Sequence, residues 1–74
     1  MQAKDYEKIG KYFRKLRQDK DISQLKVCLN SDLSLDTVRI IEGGKRKDLK
    51  LETLSKLSKA FDVKLWQVFK ELDI

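Results

Sequence analysis

The sequence predicts an all-α fold, a compact five-helix domain that takes in residues 1–74. Three observations lead there. Helix breakers are scarce, with no Pro and only three Gly among 74 residues. Apolar residues recur at helical spacing and do not alternate as in a strand. Capping and turn-forming residues fall between the apolar stretches, so the connections are short.

The first helix is predicted over about 5–20. Ile9, Tyr12, Phe13 and Leu16 stand at i, i+3, i+4 and i+7, one face of a helix. Asp5 is expected to cap its start, with Glu7 in the first turn. Ser23 caps a short second helix over about 23–30. Ser31-Asp32-Leu33-Ser34 reads as a turn, with Ser34 capping the third helix and Asp36 suiting its dipole. Val38 and Ile41 face inward, and Gly43-Gly44 ends that helix, because Gly accepts the left-handed position past a C-terminus. Asp48 is expected to cap the fourth helix, whose stripe is Leu51, Leu54, Leu57, Ser58 and Phe61. A turn at Asp62-Val63 leads to a fifth helix, about 64–73, with Leu65, Trp66, Val68, Phe69 and Leu72.

Composition narrows the function. A chain this short buries only about 60% of the surface its unfolded form exposes, so a deep, dry catalytic cleft is not expected. One Cys cannot form an intrachain disulfide, and the absence of His leaves no ordinary zinc site. Cys28 is expected to be a small packing residue. No nucleophile–base pair is available, so the sequence does not read as an enzyme. Neither a metal, a cofactor nor a small-molecule ligand is indicated. No apolar run reaches the roughly 18 residues that would span a bilayer, and no leader is apparent. The expectation is a reduced, cytoplasmic protein with no membrane partner.

Lys and Arg number 17 against 12 Asp and Glu, for a net charge of +5. The excess is uneven. Residues 4–20 carry seven basic and three acidic side chains; 45–50 carry Lys45, Arg46, Lys47 and Lys50 against Asp48. Between them, 31–44 hold Asp32, Asp36 and Glu42 against Arg39 alone. Two basic segments flank an acidic one, which reads either as a solvated surface that keeps the domain soluble or as two phosphate clamps around the acidic segment.

From Ile9 to Phe69 the chain resembles the Cro/CI (xenobiotic-response-element type) helix-turn-helix family. Ile22-Ser23-Gln24 is similar to the family's opening of helix 2, and Cys28 falls where a small residue is usual. Thr37-Val38-Arg39-Ile40-Ile41-Glu42-Gly43-Gly44-Lys45-Arg46 resembles the recognition helix and its exit turn. Leu51-Glu52-Thr53-Leu54, Leu57-Ser58-Lys59-Ala60-Phe61 and the stretch 63–69 resemble the closing helices. The resemblance implies a regulator of double-stranded DNA, with the third helix in the major groove and the second across the backbone. It implies base-facing roles for Ser34, Leu35, Asp36, Arg39 and Ile40. It implies phosphate contacts by Gln24 and the backbone of Gly44 and Lys45, with Lys45, Arg46 and Lys47 adding charge. It further implies a structural ion pair between Arg17 and Glu42.

The pattern also departs from the family. Asp32 replaces the usual turn Gly, a change the left-handed tolerance of Asp accommodates. Ser31 takes an apolar core position, Leu25 and Leu29 take polar ones, and Lys64 stands where a capping Ser is common. A rotated or shortened second helix, turning Ile22, Leu25 and Leu29 inward, would reconcile these. Leu35 and Asp36 are unusual readers, although Leu can meet a thymine methyl and Asp can accept from cytosine N4.

Trp66, Phe69, Leu72 and Ile74 give the last helix more apolar surface than one small core needs. That excess predicts a homodimer interface, which would suit a palindromic operator with half-sites about one turn apart. The alternative is a protein-interaction module of the same fold that binds a protein through helix 3 or helix 5.

Overall fold

The computed structural model describes residues 2–45 and 49–74. The described residues form five helices, α1 (Ala3–Asp19), α2 (Gln24–Ser31), α3 (Leu35–Gly43), α4 (Leu51–Ala60) and α5 (Leu65–Leu72). Among the described residues there is no strand, so the all-α fold class holds. Among these residues no helix is long and apolar enough to cross a membrane.

The helix starts follow side-chain chemistry. Ser23 Oγ accepts from the Lys26 N–H, and Ser34 Oγ accepts from the Thr37 N–H, both at 3.1 Å. The expected cap at Asp5 is corrected: α1 begins earlier, with Gln2 at the cap position. Asp5 sits one turn inside and takes the Gln2 N–H on Oδ2 at 2.8 Å, the reciprocal half of a capping box. Asp48 lies outside the described residues; Lys50 occupies the cap position of α4 and makes no side-chain cap bond. Lys64 holds the same place on α5, where its N–H donates to Gln67 Oε1 at 3.3 Å.

The helix ends share one device. Past every helix stands a residue in the left-handed region: Asp21, Asp32, Gly44, Asp62 and Asp73, with φ of 54°, 61°, 69°, 56° and 57°. Four of the five are Asp, which visits this region more readily than other side chains but places a negative charge at the negative end of a helix dipole.

Ile9, Phe13, Val27, Val38, Ile41, Leu49, Leu54, Leu57, Phe61 and Val68 form the buried core. Phe13 stacks on Phe61 with ring centres 5.9 Å apart, and Cys28 packs half-buried against the cluster. Two apolar assignments are corrected. Leu51 is 63% exposed and stands outside the α4 stripe. The second helix is neither rotated nor shortened: Leu25 and Leu29 are 61% and 74% exposed, and Val27 and Ser31 face inward. Ser31 fits an apolar position because its hydroxyl donates to the Val27 carbonyl at 2.6 Å and accepts from the Leu33 N–H at 3.3 Å.

Candidate nucleic-acid interface

α2 and α3 are joined by a turn of three residues, 32–34, and α3 is held from behind by α1. Two glycines set how closely. A Cβ on Gly10 would run into the Ile41 carbonyl oxygen, so α1 crosses α3 backbone to backbone. Gly44 ends α3 in the left-handed region, and a Cβ there would meet the Glu7 Cα at 3.0 Å. Gly10 is a positioning residue that the helical stripe does not disclose. Its only signal is an isolated Gly beside a core residue within an uninterrupted helix.

Polar contacts fix the same junction. Arg17 of α1 grips Glu42 of α3 with two hydrogen bonds, Nε to Oε2 at 2.8 Å and Nη2 to Oε1 at 3.0 Å. Its remaining arm, Nη1, donates to the Ile22 carbonyl just before α2 at 3.1 Å. Hydrogen bonding to Glu42, together with the carboxylate's charge, outweighs burial and raises the Arg17 pKa. Glu42 Oε1 also accepts from Gln24 Nε2 at 3.2 Å. One carboxylate thus ties α1, α2 and α3 together. A planar guanidinium meeting a planar carboxylate this way sets orientation as well as distance.

The outer face of α3 follows from its inner one. Val38, Ile41 and Glu42 are buried. At about 3.6 residues per turn, Asp36 and Ile40 lie opposite them, and both are exposed. Leu35 is half-buried at the start of the helix; Ser34 is exposed, and its hydroxyl shares a 2.8 Å hydrogen bond with Thr37 Oγ1. Arg39 is exposed on the flank that α3 shares with Glu42, where Arg14, Arg17, Gln24, Arg39, Glu42 and Gly43 line one open cleft. Lys45 is exposed just past Gly44, whereas Arg46 and Lys47 lie outside the described residues.

The four candidate interface residues on and after α5 separate. Trp66 is 59% exposed and Ile74 is also exposed. Phe69 and Leu72 are half-buried and pack against the core, so they divide their surface between core and solvent.

A short helix crossing behind a second, outward-facing one, with a tight turn between them and both locked to a third, defines a helix-turn-helix. The model of the Cro/C1-type helix-turn-helix DNA-binding domain matches residues 13–70. The chain belongs to that family, a class of DNA-binding transcriptional regulators. Among curated proteins none matches. Among solved structures, the chain is similar to the wild-type restriction-modification controller protein C.Esp1396I, with a TM-score of 0.80 and 24% identity. The match covers 92% of this chain and 87% of that one, and it shows the shared fold.

Proposed function

We propose that the protein is a sequence-specific double-stranded-DNA-binding regulator that works as a homodimer on a palindromic operator, as a repressor or a small controller protein. The observation that carries this is the construction of α3. Its inner face is locked to α1 and α2 through Glu42 and the Gly10 crossing, and Asp36 and Ile40 stand exposed on the opposite side. A rigid frame behind a solvent-facing helix is what base reading requires.

In this reading Ser34, Leu35, Asp36 and Ile40 face the base edges. Gln24, the backbone of Gly44 and Lys45, and the Lys45-Arg46-Lys47 segment serve the phosphates. Asp36 accepts from cytosine N4, and Leu35 and Ile40 cover thymine methyl groups. An acid among the readers weakens binding to unmatched DNA and leaves general affinity to the flanking cations. Exposed Trp66 and Ile74, flanked by the outer edges of Phe69 and Leu72, supply an apolar strip for a second copy of the chain. The controller-protein neighbour shares the fold, which supports the regulator reading. In this reading the protein works in the compartment that holds its DNA, the cytoplasm of a cell without a nucleus.

Selection from random duplexes, followed by a salt series on the enriched sequence, tests the proposal. The expected outcome is an inverted repeat whose affinity falls steeply with salt. If no sequence is enriched and no duplex binds even at low salt, the protein is instead an interaction module that uses α3 or α5 to hold a protein partner.

A further inference from the structure

Three helices converge on the cleft beside α3. Arg14 comes from the outer side of α1, Gln24 opens α2, and Arg39 and Glu42 come from one flank of α3. Three guanidiniums, those of Arg14, Arg17 and Arg39, border it against one carboxylate, Glu42. Arg17 is committed to that carboxylate through two hydrogen bonds, so the Arg14 and Arg39 charges set the sign of the cleft. Gln24 is oriented there: with one Nε2 hydrogen directed at Glu42 Oε1, its second N–H has a restricted direction. The resulting pocket combines two cations on separate helices with a pre-aimed neutral donor, and it is open to solvent. That chemistry fits a phosphodiester, a monoanion with two acceptor oxygens.

We infer that the cleft lined by Arg14, Gln24 and Arg39 is the seat of one backbone phosphate of the bound duplex, with Glu42 as the positioning residue that aims Gln24 into it. The inference rests on the DNA-binding reading above and extends it in two respects. Arg14, on the helix behind the reading unit, becomes a phosphate contact. Arg39 serves the backbone, because its flank of α3 faces Gln24 and not the outward line of Asp36 and Ile40. The seat also fixes register: a phosphate gripped between α1 and α3 sets how far along the groove α3 lies.

The test combines single methylphosphonate substitutions, which remove one backbone charge at a time, with Arg14→Ala and Arg39→Ala. Both residues are exposed, and a thermal melt checks that each variant folds. One phosphate per half-site should emerge whose neutralisation weakens the wild-type protein several-fold. The same neutralisation should cost Arg14→Ala and Arg39→Ala much less, because the charge it removes has already lost its partner. Each variant should lower the salt dependence by about one counterion per bound copy and leave the preferred sequence unchanged.

If penalties from phosphate and protein multiply independently at every position, or if Arg39→Ala changes the preferred bases, the seat is wrong although the protein binds DNA. Failure of the wild-type protein to bind any duplex would instead remove the DNA reading and the seat with it. Inorganic phosphate alone, titrated while the Gln24 side-chain amide is followed by NMR, separates the sources. Saturation only at concentrations far above those of duplex is expected. Saturation at duplex-like concentrations would assign the cleft to a free anion.

Discussion

The seam between α1 and α3 and the outer surface of α5 are built on opposite principles. At the seam, backbone meets backbone at Gly10, Gly44 turns back against Glu7, and a two-pronged ion pair closes one end. On α5 only Val68 is fully buried, and a Trp faces solvent two residues away. The seam has one permitted geometry, so it fixes where α3 points. The last helix is anchored by a single wholly enclosed side chain and has apolar surface to spare. Precision is concentrated where α3 is aimed, and spare apolar surface lies on the last helix.

Gly10→Ala is the severest way to break this contrast. The added methyl meets a backbone carbonyl that cannot rotate away, so α1 must separate from α3. Stability should fall by at least about 3 kcal/mol, read from the midpoint of urea unfolding at unchanged slope. A loss below about 1 kcal/mol would show that the seam yields, and that the aim of α3 is not fixed by it. Arg17→Ala ranks next. It strands the Glu42 carboxylate with Gln24 as its remaining side-chain donor among the described residues, a cost of about 2–3 kcal/mol, reduced because solvent reaches the pair's edge. Its signature is poor rescue by Arg17→Lys, since an ammonium cannot reproduce the planar fork.

These two sites also mark where the sequence was and was not legible. Ser23, Ser34 and Gly44 act as their residue types dictate, because capping is local: donor, acceptor and turn lie within four residues. Val38, Ile41, Leu54 and Leu57 were legible from period alone. Leu25, Leu29 and Leu51 were not, since an apolar side chain at helical spacing does not say which way its helix is turned; that depends on partners distant in sequence. Gly10 was missed for the same reason, as its role appears only when Ile41 is brought against it. Gln24 was expected at a phosphate, and the hydrogen bond that engages its amide with Glu42 was not legible, because the two are brought together only by the fold. Asp32 was legible as a left-handed turn residue and Asp62 as part of a turn, yet Asp21 and Asp73 repeat the device unannounced.

That repetition offers a change of opposite sign. Asp32→Gly removes the side chain from a left-handed position and a negative charge from the end of α2. It should stabilise the fold by about 0.5–1 kcal/mol in the same unfolding measurement. Trp66→Ala probes the other region: on an exposed site it should alter unfolding of the monomer, measured at concentrations too low for association, by no more than about 0.5 kcal/mol. Its effect should fall on association, lowering the apparent mass in sedimentation from dimer toward monomer. If both proteins sediment as monomers, α5 is not the interface; if the variant unfolds as readily as Gly10→Ala, Trp66 belongs to the core.

The smallest expected effect bears on how α5 is attached. Tyr12 of α1 is half-buried, and both burial and the nearby Glu71 carboxylate of α5 raise its phenol pKa above the usual value of 10.0. The folded state therefore retains this proton more tightly than the unfolded chain does. Any stability linked to it is complete below about pH 10 and declines as pH rises from there through the folded-state value. Ionising the phenol also sets two negative charges across the junction of α1 and α5. Melting temperature should fall more steeply above pH 10 in the wild-type protein than in Tyr12→Phe, with the two curves parallel at pH 7–9. Parallel curves throughout would mean that Tyr12 and Glu71 do not couple the two helices, and that Val68 and its half-buried neighbours alone hold the last helix in place.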